Sequence, residues 1–582
     1  MLNRFIPILV LTLLLGLSLS RCGEQTRRPP AYSAAPPAPV RCGPQPSDRQ
    51  WYDSDQKAPL FDDLGAFTFP VTTRKQLTQR YISQGLLLAY GFNHAEAARS
   101  FYYATQLEPD CAMAHWGFAY VLGPNYNAGM ESDNYARAYE AAQRAHTLAR
   151  QHGTPREQAL TEALRTRYAR EAPADRSALD EAYAAAMERV AGSFPDDPDI
   201  GALFVEARMD LHPWDLWDKE GQPRPWTPEI LAGLDRVLAY APDHAGTNHL
   251  YIHAIEASHT PEKGLAHARR LDAGLAPGAG HLVHMPSHIY IRTGDYHEGS
   301  LANRRAVEVD SSYITACRAQ GAYPLIYHPH NYHFLAATAT LAGESEWAID
   351  AAKRTGRHAD LDLMNVPGLG MLQHFYTIPD YVLTKFGRWD DILGAIDTRR
   401  DLPYPKLIRH YARGMAYLGK GDAESARREL DQLRVRSAKA NIDSLVIGVN
   451  GARAVASIAE NVLAAELAAR DGNRERAIEL LREAVTVEDA LNYTEPPDWF
   501  FSVRHHLGAV LVDAAKFAEA VAVYEEDLAV YPKNGWALSG LAAAYRGLGD
   551  TGKARETEAR LAEAWKYADV ELEGSRIKSP AK

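Results

Sequence analysis

Cysteine is scarce. The chain has four in 582 residues (Cys22, Cys42, Cys111 and Cys317), too few for a disulfide framework, and no pair has zinc-knuckle spacing. Positive charge is not in excess either. Lys plus Arg number 63 against 74 Asp plus Glu, a formal net charge of −11, and no basic run offsets it locally. A protein that neutralises phosphates carries a basic patch, so nucleic acid is excluded as a partner. No glycine-rich phosphate loop precedes a strand and Gly-x-Ser-x-Gly is absent, which removes P-loop enzymes and nucleophile-elbow hydrolases. β-Branched runs are few while alanine is abundant, so the composition leans to helix. Beyond the first twenty residues no apolar run approaches bilayer-spanning length.

The first twenty residues are the exception. Arg4 precedes an apolar run, Phe5 to Leu19, with the length of a signal-peptide core, so residues 1–21 read as an export signal. The following Leu19-Ser20-Arg21-Cys22-Gly23 resembles the lipobox of bacterial lipoproteins, with Arg21 where that pattern has a small residue. The resemblance implies lipidation of Cys22 and a place on the periplasmic face of a bacterial membrane, touched only through the lipid. Plain secretion and an uncleaved anchor are the alternatives. Residues 22–50, rich in Pro, Ala, Ser and Arg, read as a disordered tether, and 51–582 as the folded body.

The body repeats itself. Gly85, Ala97, Phe101 and Pro109 recur as Gly508, Ala520, Tyr524 and Pro532, with the same offsets of 12, 16 and 24 residues. Weaker copies centre on Gly294, Gly421 and Gly472. Small residues fall where two helices must touch, and the proline stops the second helix. This spacing resembles the tetratricopeptide (TPR) repeat, a helix–turn–helix unit of about 34 residues. About twelve units predict an all-α, right-handed superhelical solenoid without sheet. Four segments break the period: 211–228 with Trp214, Trp217 and Trp226; 310–329; 361–372; and 489–501 with Glu495 and Trp499. Such insertions map to loops, often at a binding face, and the last is expected to fold inward. The C-terminal pieces Glu495-Pro496-Pro497, Asn534-Gly535-Trp536 and Ala564-Trp565 look like the end of a bacterial exported TPR family with no settled activity.

Histidine is the abundant exception. Twelve of 22 lie between residues 244 and 333, where average density would place three or four. Counted back from the turn of each unit, His281, His284 and His288 lie 13, 10 and 6 residues before Gly294. His330 and His333 lie 13 and 10 before Gly343, and His249 and His253 lie 10 and 6 before His259. His374 and His505 share these phases in later units. Steps of three and four residues keep the three positions on one stripe of the first helix, beside the core stripe. In TPR solenoids that stripe faces the concave groove. His249/His253 and His284/His288 have the His-x-x-x-His spacing that lets two imidazoles share an ion.

These observations predict a transition-metal site of His249, His253, His284, His288, His330 and His333. His281, Glu256, Arg292, His374, Glu495 and His505 stand as outer or groove residues. Six rings exceed one tetrahedral ion, so two ions bind or some rings support others. A nitrogen-rich set without thiolate favours Zn, Cu or Fe over Ca or Mg. Leu250 and Met285 stand where the glutamate of His-Glu-x-x-His would be, which excludes that metalloprotease class. A metal carrier and a metalloenzyme both remain open. The alternative is a TPR scaffold whose groove takes a peptide, protein or small molecule without metal.

Overall fold

The computed structural model describes residues 51–53, 56–317, 323–366, 369–395 and 402–577. The export signal, the tether and Cys22 lie outside the described residues. Among those described, the helices run as twelve successive hairpins. The first four pair α1 (Gln76–Tyr90) with α2 (His94–Leu107), α3 (Ala112–Val121) with α4 (Tyr135–His152), α5 (Pro155–Arg165) with α6 (Ser177–Ser193), and α7 (Pro198–Met209) with α8 (Thr227–Tyr240). The fifth pairs α9 (Ala245–Ile255) with α10 (Leu265–Asp272). In the sixth, α11 (Gly280–His284) and α12 (Pro286–Thr293) form one arm, interrupted at Pro286, against α13 (Tyr296–Cys317). The seventh and eighth are α14 (His328–Ala342) with α15 (Ser345–His358) and α16 (Met371–Lys385) with α17 (Trp389–Gly394). The ninth joins α18 (Pro403–Gly419) to α19 (Ala423–Ser437), followed by the short α20 (Ala440–Asp443). The last three are α21 (Ala452–Arg470) with α22 (Arg474–Asp489), α23 (Arg504–Asp513) with α24 (Phe517–Val530), and α25 (Gly535–Gly547) with α26 (Thr551–Ala564). Strand pairing among the described residues amounts to Val446–Ile447 against Asn450–Gly451 and two isolated bridges. No described helix is long and apolar enough to cross a membrane.

Steric contact explains the repeat signature. Phe101 is fully buried and lies between the first helices of two successive hairpins. A Cβ at Gly85 would stand 2.7 Å from its ring, and one at Gly117 would stand 2.0 Å from it. Tyr524 does the same between Gly508 and Gly540, at 2.4 and 2.1 Å. The ring at offset 16 therefore excludes any side chain at offsets 0 and 32. Removing either ring would open a cavity costing about 3–5 kcal/mol.

The superhelix also packs coil on coil. The turn of the first hairpin reaches hairpins five and six: Tyr90 O accepts from His249, and Tyr313 OH donates to Asn93 Oδ1 at 3.2 Å. The sixth and seventh reach the twelfth: Tyr296 OH donates to Pro532 O at 2.7 Å and Trp536 Nε1–H to Thr340 O at 3.0 Å. Asp569 caps the backbone N–H groups of Ser345 and Glu346. This second circuit brings Tyr90 and Phe92 of the first hairpin against the histidine stripe. Consequently the histidine stripe is buried, whereas the sequence pattern alone suggested a solvent-lined groove: His249 and His284 are fully buried, and His253, His281 and His288 nearly so.

Candidate metal centre

Helical phase sets the rings. His249 and His253 stand one turn apart on α9, with ring centroids 4.8 Å apart, and His284 and His288 span the Pro286 interruption at the same separation. Pro286 has no N–H to give to a preceding carbonyl, so the chain turns there through a tighter bond, His288 N–H to Met285 O. The structure gathers two groups of three. In each of them one ring nitrogen per residue lies within 4.8 Å of the others: His249, His253 and His281 in the first, His284, His288 and His330 in the second.

In the first group, His249 Nδ1 lies 2.6 Å from Tyr90 O. A backbone carbonyl only accepts, so Nδ1 carries the proton and Nε2 keeps its lone pair. His253 Nδ1 lies 2.7 Å from Glu256 Oε1, with the same consequence. Both Nε2 atoms are buried without a partner among the described residues, and so are both nitrogens of His281. Phe92 caps one face of the group, with its ring centroid 4.6 Å from His249, 5.7 Å from His253 and 5.5 Å from His281. Trp214 and Tyr126 cover His253 from the 211–228 insertion and the α3–α4 connection, at 5.5 and 5.6 Å.

In the second group, His288 Nδ1 lies 2.6 Å from Glu256 Oε2. His284 Nδ1 lies 2.6 Å from Asn303 Oδ1, and the Asn303 amide is oriented by donating its Nδ2 to Gly299 O. Both Nδ1 atoms are therefore donors, and in neutral rings both Nε2 atoms carry lone pairs. Those lone pairs face each other at 2.9 Å. Two nitrogens on one ion at about 2.0–2.1 Å stand roughly 2.9–3.4 Å apart for ligand angles of about 90–110°. His330, half-buried, completes the group with ring centroids 4.9 Å from His284 and 5.8 Å from His288.

Glu256 joins the groups. It is fully buried and gives one oxygen to each. Burial pushes its carboxyl up, but His288 and His253 outweigh that and hold it well below the carboxylate range. Four of the rings are held in the neutral, ligating form: burial, then neighbouring imidazoles, push His249, His281 and His284 well below the ordinary histidine value, and His330 to about 3. A carboxylate behind a ligating imidazole fixes its tautomer and raises its basicity.

The remaining residues singled out in the sequence fall elsewhere. His333 and His374 form a separate pair with centroids 5.4 Å apart; both Nε2 atoms lack partners, and Phe500 stacks on His333 at 5.0 Å. His505 sits in the C-terminal hairpins with Lys385 Nζ at 2.8 Å and Asp527 Oδ2 at 3.2 Å, away from both triads. The 489–501 loop does fold inward. Trp499 packs on Tyr381 and Tyr411, and Tyr493 OH lies 2.9 Å from Glu495 Oε1 and 3.4 Å from Glu256 Oε2. Arg292 lies beside Glu495. Phe92, Asn303 and Tyr90 were not legible as site residues. Phe92 alone left a signal, because it takes the turn position that glycine holds in other hairpins, at φ +55°.

No family model matches the chain, and no curated protein matches it. Among solved structures it is similar to the human IFIT1 dimer with m7Gppp-AAAA, at 12% identity over 85% of this chain and 91% of that one, TM-score 0.30. It is similar also to the human IFIT1 dimer with PPP-AAAA, at 12% identity over 82% and 88%, TM-score 0.28. The chain itself is a TPR-like helical solenoid that brings six histidines into two triads.

Proposed function

We propose that this chain binds transition-metal ions at the two histidine triads, with Glu256 supporting both. The observation that carries the reading is the His284–His288 contact: two Nε2 atoms at 2.9 Å, each ring fixed by an acceptor behind its Nδ1, so that neutral rings oppose lone pair to lone pair. A cation bound by both nitrogens turns that repulsion into coordination. Zinc, copper and iron suit an all-imidazole set. The free cysteine Cys111 packs in the first hairpins beside Thr72 O and offers no thiolate here. The peptide-scaffold alternative needs an open groove, and the buried stripe argues against it. In the same reading the centre lies outside the cytoplasm, tethered at Cys22, on the support of the signal-like residues 1–21 and the lipobox-like run from Leu19 to Gly23. Membrane fractionation of the Cys22→Ser variant tests the tether, which predicts release into the soluble fraction.

Elemental analysis of protein purified without a histidine tag tests the metal. The reading expects one to two equivalents of a transition metal, and loss of that metal in the His284→Ala, His288→Ala double variant. Protein that holds none, and gains no thermal stability from Zn, Cu or Fe, refutes it.

A further inference from the structure

Arg292 stands one turn beyond His288 and two beyond His284, on the same face of the α11–α12 arm. Its side chain is only 11% exposed. A guanidinium presents five N–H donors and does not lose its charge in a protein. Here Nη2 reaches Ser258 O at 3.4 Å, Nη1 stays 3.9 Å from Glu495 Oε1, the guanidinium also meets the Tyr493 hydroxyl, and Nε meets no acceptor among the described residues. Glu495 Oε2 shares the condition, and so does Oγ1 of Thr494, the residue before it in the chain: both are buried without partners among the described residues. Tyr493 closes one side, its ring centroid 5.4 Å from the guanidinium carbon. Unmet hydrogen-bonding capacity thus lies one turn beyond the ion-binding rings, in one cation and one carboxyl, with a hydroxyl on the residue before that carboxyl. A buried polar group without a partner is costly, so these groups point to a ligand that satisfies them.

The charge balance narrows the group that is anchored. One guanidinium matches one singly charged carboxylate, and the nearby Glu256 and Glu495 disfavour a group that carries two charges at that point. Burial pushes the Glu495 carboxyl up to about 7, so near neutrality it also offers a proton as donor. The half-buried His330 and Tyr493 leave this end of the centre the nearer to solvent.

We propose that Arg292, Thr494 and Glu495 anchor the carboxylate of a small organic acid, which places the rest of that molecule beside the ion on His284, His288 and His330. The anchor rests on the metal reading only for what it delivers the acid to; the guanidinium site itself stands without an ion.

Cobalt-loaded protein titrated with succinate, and separately with inorganic phosphate, tests this through the visible bands of the ion and through calorimetry. Wild type is expected to bind succinate with a shift of the bands. Arg292→Gln should raise the dissociation constant at least about tenfold at unchanged cobalt content and circular dichroism. Thr494→Val, which keeps shape and charge, should weaken binding in the same direction. Equal affinity in wild type and Arg292→Gln overturns the anchor, and tighter binding of phosphate than of succinate overturns the carboxylate class. If the protein takes up no cobalt, the metal reading fails by itself. Calorimetry on the ion-free chain then decides the anchor: succinate binding lost in Arg292→Gln supports it, and no binding in wild type overturns it.

Discussion

His284 and His288 present their Nε2 atoms to each other across 2.9 Å, and neither ring can turn away without giving up the oxygen behind it, Asn303 Oδ1 or Glu256 Oε2. The contact is imposed by its surroundings. Helical phase brings the rings together, and the acceptors behind them choose the tautomer that points lone pair at lone pair.

Glu256 is the residue on which both triads depend. Glu256→Gln keeps the shape but leaves one oxygen to serve two Nδ1–H donors, and its amide NH2 faces a donor. We expect metal affinity to fall about 10–100-fold, with helical content unchanged. Competition against a chelator of known affinity measures this; unchanged affinity would detach Glu256 from the centre.

Phe92 holds its ring among three histidines at φ +55°, in the left-handed region that a bulky residue avoids. Phe92→Ala loses the ring and keeps the backbone strain, while Phe92→Gly loses the ring and relieves it. Both should destabilise, by about 3–5 kcal/mol for the lost ring, with glycine milder by about 1 kcal/mol. Urea denaturation of the pair tests the order, and alanine equal to or better than glycine contradicts it.

The solenoid was legible because its signature is local. A ring at offset 16 and small residues at 0 and 32 state a packing rule inside two neighbouring units. His249, His253, His284, His288 and His330 were legible for the same reason, since phase within a hairpin fixes which face a side chain takes. What the sequence could not show is the contact between coils. Phe92 and Tyr90 enter the centre from a turn more than 150 residues away, and Phe500 claims the face of His333, which drew that ring into a pair with His374. His281 is a full member of the first triad because its ring lies 4.9 Å from that of His249, and neither of its nitrogens has a partner among the described residues. The burial of the stripe has the same origin.

Gly294 and Gly472 separate coil contact from turn strain. Both sit at helix-ending turns, at φ +78° and +84°. A Cβ at Gly294 would stand 2.2 Å from Pro532 O, whereas one at Gly472 meets nothing within 4 Å. Gly472→Ala should cost about 1 kcal/mol of strain alone. Gly294→Ala should cost at least about 1 kcal/mol more, because a backbone carbonyl of the next coil must move. Equal denaturation midpoints for the two variants would mean that the coils do not touch there.

Acid should unfold the chain through histidines outside the centre. Burial holds His94, His358 and His505 at about 4, and His374 and His506 at about 3. Unfolded imidazoles titrate near 6.5, so below that value the unfolded chain binds more protons than the native one and stability falls. Each ring contributes up to about 1.4 kcal/mol per pH unit until its native value is reached. Burial raises Glu488 to about 8 and Glu495 and Asp498 to about 7, which acts in the opposite sense, but these are fewer. Urea midpoints measured with chelator present should drop steadily from pH 6.5 to pH 4.5; a flat profile contradicts this.

Anomalous diffraction at the absorption edge of the bound metal tests the central claim most directly. The account predicts a peak within about 2.0–2.2 Å of both the His284 and the His288 Nε2 atoms. A second peak is expected among the Nε2 atoms of His249 and His253 and a nitrogen of His281. Crystals of metal-supplemented protein with no peak at either triad, and with the two Nε2 atoms of His284 and His288 bridged by an ordinary hydrogen bond after one ring has turned, would contradict it.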